Sequence, residues 1–194
     1  MSKISLKPAS SGTATFTIEA PATNTNRVLE LPNEAGKILT DVGVPTSAMP
    51  AGSVLQVVST YPTENFTTTS SSMVDVTGYS LSITPTSATS RILISFGFRY
   101  GSTGSSDNGY QILRNSTALP LGALSSNNLG NVNPPTAPAP FMDTNLIIED
   151  TPNTTSAVTY KLQVRRTSAT LRINDRNGGG NNRYGYFILT EIAA

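Results

Sequence analysis

Few residues of this chain have the types and spacing that catalysis requires. The 194 residues include no histidine and no cysteine, which removes the usual general base, thiolate metal ligands and the Ser-His-Asp arrangement. Glu149-Asp150 could be compared with the two carboxylates of a glycosidase. Neighbours in a β-strand point to opposite faces, however, so this pair alone does not make one active site. We predict no catalytic residue and no enzymatic activity.

Two glycine-containing motifs also lack the context of a ligand site. Gly178-Gly179-Gly180 has no following Lys-Ser/Thr and no strand–helix setting, so it is predicted to be a hairpin tip rather than a phosphate loop. Asp107-Asn108-Gly109 resembles half of a calcium loop but has no downstream glutamate at the required spacing. We therefore predict no cofactor and no metal.

Long tips rich in Asn, Ser, Tyr and Arg remain as a candidate binding surface. A rigid β framework holds such loops in place for a partner, and aromatic rings stack on sugars. For Tyr100, Tyr110, Tyr184 and Tyr186, packing in the core or at an interface is favoured over sugar stacking. The residues predicted to bind a partner or glycan come from two tips and their flanks: Asp107, Asn108, Tyr110, Arg176, Asn177, Asn181, Arg183 and Tyr184.

The composition predicts a β protein with polar loops. Ser and Thr make up 50 of the 194 residues and charged residues only 13%, and Thr suits strands while Ser suits turns. The net charge of +1 indicates no nucleic acid partner. Residues 157–194 carry six Lys/Arg against two Asp/Glu, which we interpret as a solvated sheet edge guarded by cations. No apolar run approaches the roughly 20 residues that span a bilayer, so we expect no membrane insertion.

The stretch Ala51–Phe98 predicts the start of an antiparallel sandwich. Ser53–Val58 is an almost continuous apolar run, expected of a strand covered on both faces. A Ser/Thr-rich connection precedes the strand candidate Val74–Thr84, and a turn leads to Arg91–Phe98, where Ile92, Ile94 and Phe96 share one face and Leu93 lies on the other.

The rest of the chain continues in the same manner. Asn108-Gly109 favours a tight hairpin return, Leu121–Pro140 is a proline-containing long loop, and Asn177–Asn182 is a wide hairpin tip. In Val158–Arg165 apolar and polar residues alternate strictly, which predicts one buried and one wet face. The further strand candidates are Tyr110–Arg114, Thr117–Leu119, Asn145–Glu149, Leu171–Ile173 and the central strand Tyr184–Ile192.

Residues 1–48 differ from this pattern. They contain three short strand candidates and few apolar side chains, and a piece of this size without disulfide or metal is not expected to fold alone. Val44–Gly52 has two prolines and a glycine that stop helix and sheet. We predict an extended, anchoring segment over 1–48 and a C-terminal domain over 49–194. The start, Met1–Lys7, has no apolar signal-peptide region, so synthesis in the cytoplasm without Sec export is expected.

Two stretches resemble phage virion proteins. Met1–Lys7, Gly12–Arg27 and Leu29–Thr40 resemble a "TFTI-APATNTNR-L-LP-EAG" repeat of tail-fibre-like proteins of aquatic phages. Ala51–Val58 through Ile83–Ile94 is similar to the distal β domains of the same proteins. Together these stretches cover nearly half of the chain.

The resemblance implies an all-β, homotrimeric protein on the virion surface, with a jelly-roll-like antiparallel β-sandwich behind a short extended β segment. The resemblance does not give the position on the particle, and our first hypothesis is a short tail fibre or spike that attaches to a host surface glycan, with residues 1–48 contacting other virion proteins. The alternative is a capsid decoration or cement protein that anchors through residues 1–48 and stabilises the head. Known fibres are often longer than 194 residues, which keeps this alternative open.

Overall fold

The computed structural model describes residue 11 and residues 49–102, 108–120, 130–131, 141–167, 170–174 and 185–194. The chain divides into two units, Met1–Leu39 and Thr40–Ala194, and every described strand lies in the second; the predicted boundary between residues 48 and 49 stays a prediction. The strands are β1 Val54–Thr60, β2 Phe66–Thr68, β3 Val74–Ile83, β4 Arg91–Ser102, β5 Asn108–Arg114, β6 Thr117–Ala118, β7 Gly130–Asn131, β8 Phe141–Asp150, β9 Val158–Arg166, β10 Leu171–Ile173 and β11 Tyr186–Ile192.

These strands form two antiparallel sheets. In the first sheet, β4 pairs with β8 on one side and with β11 and β10 on the other; β1 then pairs with β11, and β2 with β10. The second sheet has the order β3-β9-β5, with β6 and β7 both paired to β5. The long strands alternate between the sheets along the chain, which is the jelly-roll arrangement. The all-β sandwich prediction is therefore confirmed.

The core lies between the two inner faces. In β9, Val158, Tyr160, Leu162 and Val164 are buried and alternate with half-buried polar residues, as predicted. Ile92, Ile94 and Phe96 of β4 face them, and Leu93 lies on the opposite face of its sheet. Strict two-residue alternation is what a half-buried strand requires, because successive side chains point to opposite faces.

A bulge in β3 keeps two large side chains on the same inner face. Asp75 pairs with Gln163 and Ser80 with Lys161, so six residues of β3 span three of β9. Gly78 within this bulge has φ +83°, a conformation that favours glycine. The inserted residues shift the alternation, and both Val76 and Tyr79 are buried.

Several predicted details are wrong because they depend on pairing with distant strands. Ser53–Val58 was expected to be covered on both faces, but within the described residues β1 is an edge strand whose Val54 and Val57 are exposed. Asn108 and Gly109 lie inside β5, opposite Arg166 and Arg165, instead of forming a hairpin turn. The predicted loop Leu121–Pro140 contains β7, and the Ser/Thr-rich connection contains β2.

The predicted hairpin tip at Asn177–Asn182 does not connect a hairpin. β10 and β11 do not pair with each other; Ile173 lies opposite Tyr100, and Tyr186 opposite Gly97, on the same side of β4. The pairing of β10 with β4 therefore ends at Tyr100, and the pairing of β11 with β4 begins at Gly97, three residues earlier in β4. The predicted tip itself lies outside the described residues.

Candidate interaction surfaces

The predicted partner-binding residues fall into two groups. Asn108 is 1% exposed and Tyr110 is 8% exposed, and Tyr110 packs edge-on against Phe96 and Phe98 in the core. These two side chains thus belong to the interior of the sandwich. The other six lie outside the described residues, and their role stays a prediction: Asp107, Arg176, Asn177, Asn181, Arg183 and Tyr184.

The described residues that flank these six lie along the second half of β4. The connection that contains Asp107 follows Ser102, and the segment that contains the other five lies between residues paired with Tyr100 and with Gly97. At about 3.4 Å per residue, all three points on β4 lie within about 17 Å of each other. The described ends of the two sequence segments that carry the predicted residues therefore lie along the same half of β4.

A buried polar cluster lies where β10 ends, at Asn174, and where the chain re-enters the described structure, at Gly185. The Tyr79 hydroxyl, from the second sheet, donates to the Gly97 carbonyl at 3.0 Å and receives a hydrogen bond from Asn174 Nδ2 at 3.1 Å. Burial raises the pKa of Tyr79, so the hydroxyl stays neutral. A Cβ at Gly185 would overlap that hydroxyl. Asn174 and Gly185 therefore both lie against the Tyr79 hydroxyl, and any side chain at residue 185 would overlap it.

Arg166 explains the burial of Asn108. Its side chain is fully buried, and Nη1 donates to Asn108 Oδ1 at 2.8 Å while the backbone N–H donates to the Ser70 carbonyl at 2.7 Å. Burial lowers the pKa of the guanidinium. The interpretation of residues 157–194 as a solvated cationic edge is wrong for Arg166, because its side chain is buried inside the fold, where it donates to an amide oxygen from another strand.

The adjacent acids Glu149 and Asp150 do not form a catalytic pair. Glu149 accepts from Arg91 Nη1 at 3.0 Å on the outer face, whereas Asp150 accepts from Arg114 Nη1 at 2.9 Å and from the Tyr160 hydroxyl at 2.7 Å. The carboxylates point to opposite sides of β8, as predicted, and each has a structural partner. Among the described residues, no group of three or more acids could hold a metal ion.

Glu191 is a buried carboxylate that ties a turn to the first sheet. It accepts from Thr86 N at 2.7 Å, Thr86 Oγ1 at 2.8 Å and Gln56 Nε2 at 2.5 Å. Burial alone would raise the pKa of Glu191, but these hydrogen bonds outweigh burial and hold the pKa below the ordinary 4.5. A cleft of about 330 Å³ lies beside this turn, lined by Met49, Leu55, Thr86, Ser87, Thr89, Ser90, Ala193 and Ala194.

The lowered pKa of Glu191 predicts a pH dependence of stability. A depressed folded-state pKa adds stability above pH 4.5, and this stability is lost as the pH falls through the folded-state value. We expect Glu191→Gln to lower the thermal midpoint at pH 7 and to lose less stability than wild type between pH 5 and about pH 3. Thermal melts followed by circular dichroism measure both. Equal losses in the two proteins over that range would contradict the assignment.

The outward faces of the two sheets differ in chemistry. On the second sheet, Asp75 accepts from Lys161 at 2.9 Å and from Gln163 at 2.6 Å, and Gln163 also accepts from Gln111 at 2.6 Å. The hydrogen bond from Gln163 and the Lys161 ammonium lower the pKa of Asp75. This polar outer face is satisfied by its own cross-strand pairs and suits contact with water.

The first sheet presents apolar side chains outward. Val54 and Val57 on β1 are 52% and 56% exposed, and Ile147 on β8 is 62% exposed. Between these strands, β4 and β11 add half-buried side chains on the same side. We call this surface the apolar outer face, and its members are Val54, Val57, Leu93, Ile147, Ile188 and Ile192.

No protein-family model and no curated protein matches the chain. Solved structures that resemble it include the T13 particle of infectious bursal disease virus, with 12% identity and a TM-score of 0.40 over 80% of this chain and 40% of that chain. The VP2 subviral particle of the same virus gives 15% identity and 0.36, over 72% and 37%. The chain spans about two fifths of these viral chains, and similarity at this level identifies no family.

The residues that the structure describes include no helix that is long and apolar enough to cross a membrane.

Proposed function

We propose that this chain is a non-enzymatic structural protein of the exterior of a phage virion, a short homotrimeric tail fibre or spike that attaches to the host surface. The sequence resemblance over residues 1–40 and 51–94 supports the phage assignment. The observation that carries the structural role is the apolar outer face, on which three side chains are more than half exposed. Exposed apolar surface of this kind marks contact with other protein.

The described residues support a role without chemistry. The adjacent acids are held by Arg91, Arg114 and Tyr160, and the buried Glu191 is engaged by Gln56 and Thr86. Each of these carboxylates already has fixed protein partners, which suits a structural role.

We assign host attachment to the two segments whose described ends lie along the second half of β4. Loops held by a rigid scaffold are the usual position of recognition residues, and Arg, Asn and Tyr offer hydrogen bonds and stacking surface to a glycan. The purified full chain is expected to bind host cells and to reduce phage adsorption, and Arg183→Ala/Tyr184→Ala is expected to lose this competition. A matched control, Thr77→Ala on the exposed side of β3, should compete like wild type.

The alternative is a capsid decoration protein that anchors through residues 1–48 and stabilises the head. Its support is the jelly-roll topology, an architecture common in viral capsid domains.

Electron microscopy of particles made without this protein tests both roles. Intact particles that no longer adsorb to the host support the fibre, and heads that burst or lose surface density support the decoration protein. Supplying the wild-type chain during assembly should restore the normal particle in either case. Particles that are structurally normal and fully infectious without the protein would overturn both proposals.

A further inference from the structure

The central strand β4 changes its pairing partner within three residues. Its pairing with β10 ends at Tyr100, and its pairing with β11 begins at Gly97. At this change of partner the Arg99 carbonyl accepts from Asn174 N–H at 2.8 Å, and the Gly97 carbonyl accepts from the Tyr79 hydroxyl at 3.0 Å. A side chain from the second sheet thus supplies a hydrogen bond where β4 passes from one partner strand to the next.

Tyr79 reaches this position because of the bulge in β3. Val76 is buried, so two-residue alternation alone would turn residue 78 inward and Tyr79 outward. The bulge at Gly78 reverses the alternation, and Tyr79 is fully buried. Its ring packs against Phe98 and Phe187 at centroid distances of 6.2 and 6.4 Å, which fixes the position of the hydroxyl. Bulges re-aim single side chains in this way and are frequent next to functional sites.

The same hydroxyl touches both described residues that flank residues 175–184. Asn174 Nδ2 donates to it at 3.1 Å, and a Cβ at Gly185 would overlap it and would lie 2.9 Å from Asn174 Nδ2. Asn174 is 2% exposed and has φ +54°, a conformation that asparagine adopts more readily than most residues. Asn174 and Gly185 are thus both held at one oxygen atom of the opposite sheet.

We infer that Tyr79 is a positioning residue for host recognition, because its hydroxyl holds the two residues that flank the segment 175–184. This inference rests on the host attachment of the proposed function and names the group that positions one of the two segments assigned to it. A recognition segment whose ends are fixed before binding loses less conformational entropy on binding, which raises its affinity. The segment carries five of the predicted partner-binding residues: Arg176, Asn177, Asn181, Arg183 and Tyr184.

Two tyrosine variants of the full chain separate positioning from stability. Tyr79→Phe removes the hydroxyl and keeps the packed ring. Tyr160→Phe is the matched control, because Tyr160 is also fully buried and its hydroxyl donates from the second sheet to Asp150 of β8 at 2.7 Å. Asp150 lies opposite Ile92, about 17 Å along β4 from Gly97. Both variants lose a buried hydroxyl that bridges the sheets, and Tyr79→Phe loses it at the ends of the segment.

Competition with phage adsorption is the functional readout. Tyr79→Phe is expected to need about tenfold more protein than wild type for the same reduction of adsorption. Tyr160→Phe should compete like wild type. Circular dichroism at the assay temperature checks that both variants are folded.

Amide hydrogen exchange gives a second readout that does not involve the host. The Asn174 N–H donates to the Arg99 carbonyl, and its exchange, followed by mass spectrometry of overlapping peptides, should accelerate about tenfold in Tyr79→Phe. Exchange at Asn174 should be unchanged in Tyr160→Phe, because that variant leaves the contacts of the Tyr79 hydroxyl in place.

The outcomes separate the positioning role from host attachment. If wild type competes and Tyr79→Phe competes equally well, or the two variants lose competition equally, the positioning role is overturned and host attachment stands. Equal acceleration of Asn174 exchange in both variants also overturns it, since that result reports general destabilisation. A wild-type chain that does not compete overturns host attachment, and the positioning role for recognition with it.

Asn174→Gly repeats the test from the other side of the contact. Glycine adopts φ +54° without strain, so this variant removes the side chain that meets the Tyr79 hydroxyl and keeps the backbone conformation. It is expected to weaken competition, and Tyr79→Phe/Asn174→Gly should lose no more than Tyr79→Phe, because both changes remove the same contact. An Asn174→Gly protein that competes like wild type, or additive losses in the double variant, would overturn the positioning role.

Discussion

Phe96→Ala is expected to destabilise the domain by about 3–5 kcal/mol, the cost of deleting a large aromatic side chain from a packed core. Phe96 is fully buried, and its ring contacts Phe98, Tyr110 and Phe187 at centroid distances of 6.1–6.3 Å. These rings come from both sheets, so Phe96→Ala would leave a cavity between the two sheets.

Denaturant unfolding at one protein concentration measures this loss. Phe96→Leu, which keeps most of the volume, should lie between Phe96→Ala and wild type. Thr77→Ala at an exposed position of β3 should change stability by less than about 0.5 kcal/mol. A Phe96→Ala protein as stable as Thr77→Ala would mean that the two sheets do not pack through this cluster.

Arg166→Ala is expected to cost about 3–5 kcal/mol, because it combines a core cavity with the loss of hydrogen bonds to buried groups. The guanidinium donates to Asn108 Oδ1 at 2.8 Å, and both side chains are buried. Removing the cation leaves the Asn108 amide oxygen in the interior without this donor.

A cation on the same strand gives the matched control. Lys161 pairs with Asp75 on the polar outer face, where both side chains are partly exposed, and Lys161→Ala should cost less than about 1 kcal/mol. The double variant Arg166→Met/Asn108→Leu should be more stable than the two single costs predict, since it removes both polar partners. Equal losses of unfolding free energy for Arg166→Ala and Lys161→Ala in denaturant melts would show that the buried hydrogen bond of Arg166 does not stabilise the core.

Local pattern was sufficient for the strands whose alternation is strict. Val158–Val164 and Ile92–Phe96 each carry a period of two, and one face of each strand is buried as predicted. The jelly-roll sandwich followed from a succession of such strands and from the resemblance to virion proteins. Each of these elements is encoded within its own ten or so residues.

The remaining features depend on which strand pairs with which. Asn108-Gly109 has the composition of a hairpin turn, yet Asn108 is required inside β5 to satisfy Arg166, 58 residues later. β10 and β11 look like the arms of a hairpin until both are found along one side of β4. Val54 and Val57 have the apolar character of a strand covered on both faces, and their exposure reflects their position on the outward face of the first sheet. Choices of partner over such distances leave no local signal.

The mass of the purified full chain in solution tests this account most directly. Light scattering at physiological salt is predicted to return three times the chain mass of 20.4 kDa, unchanged on tenfold dilution, because the interface of a permanent homo-oligomer should persist at micromolar concentration. A mass near 20.4 kDa at every concentration would contradict the homotrimer of the proposed function.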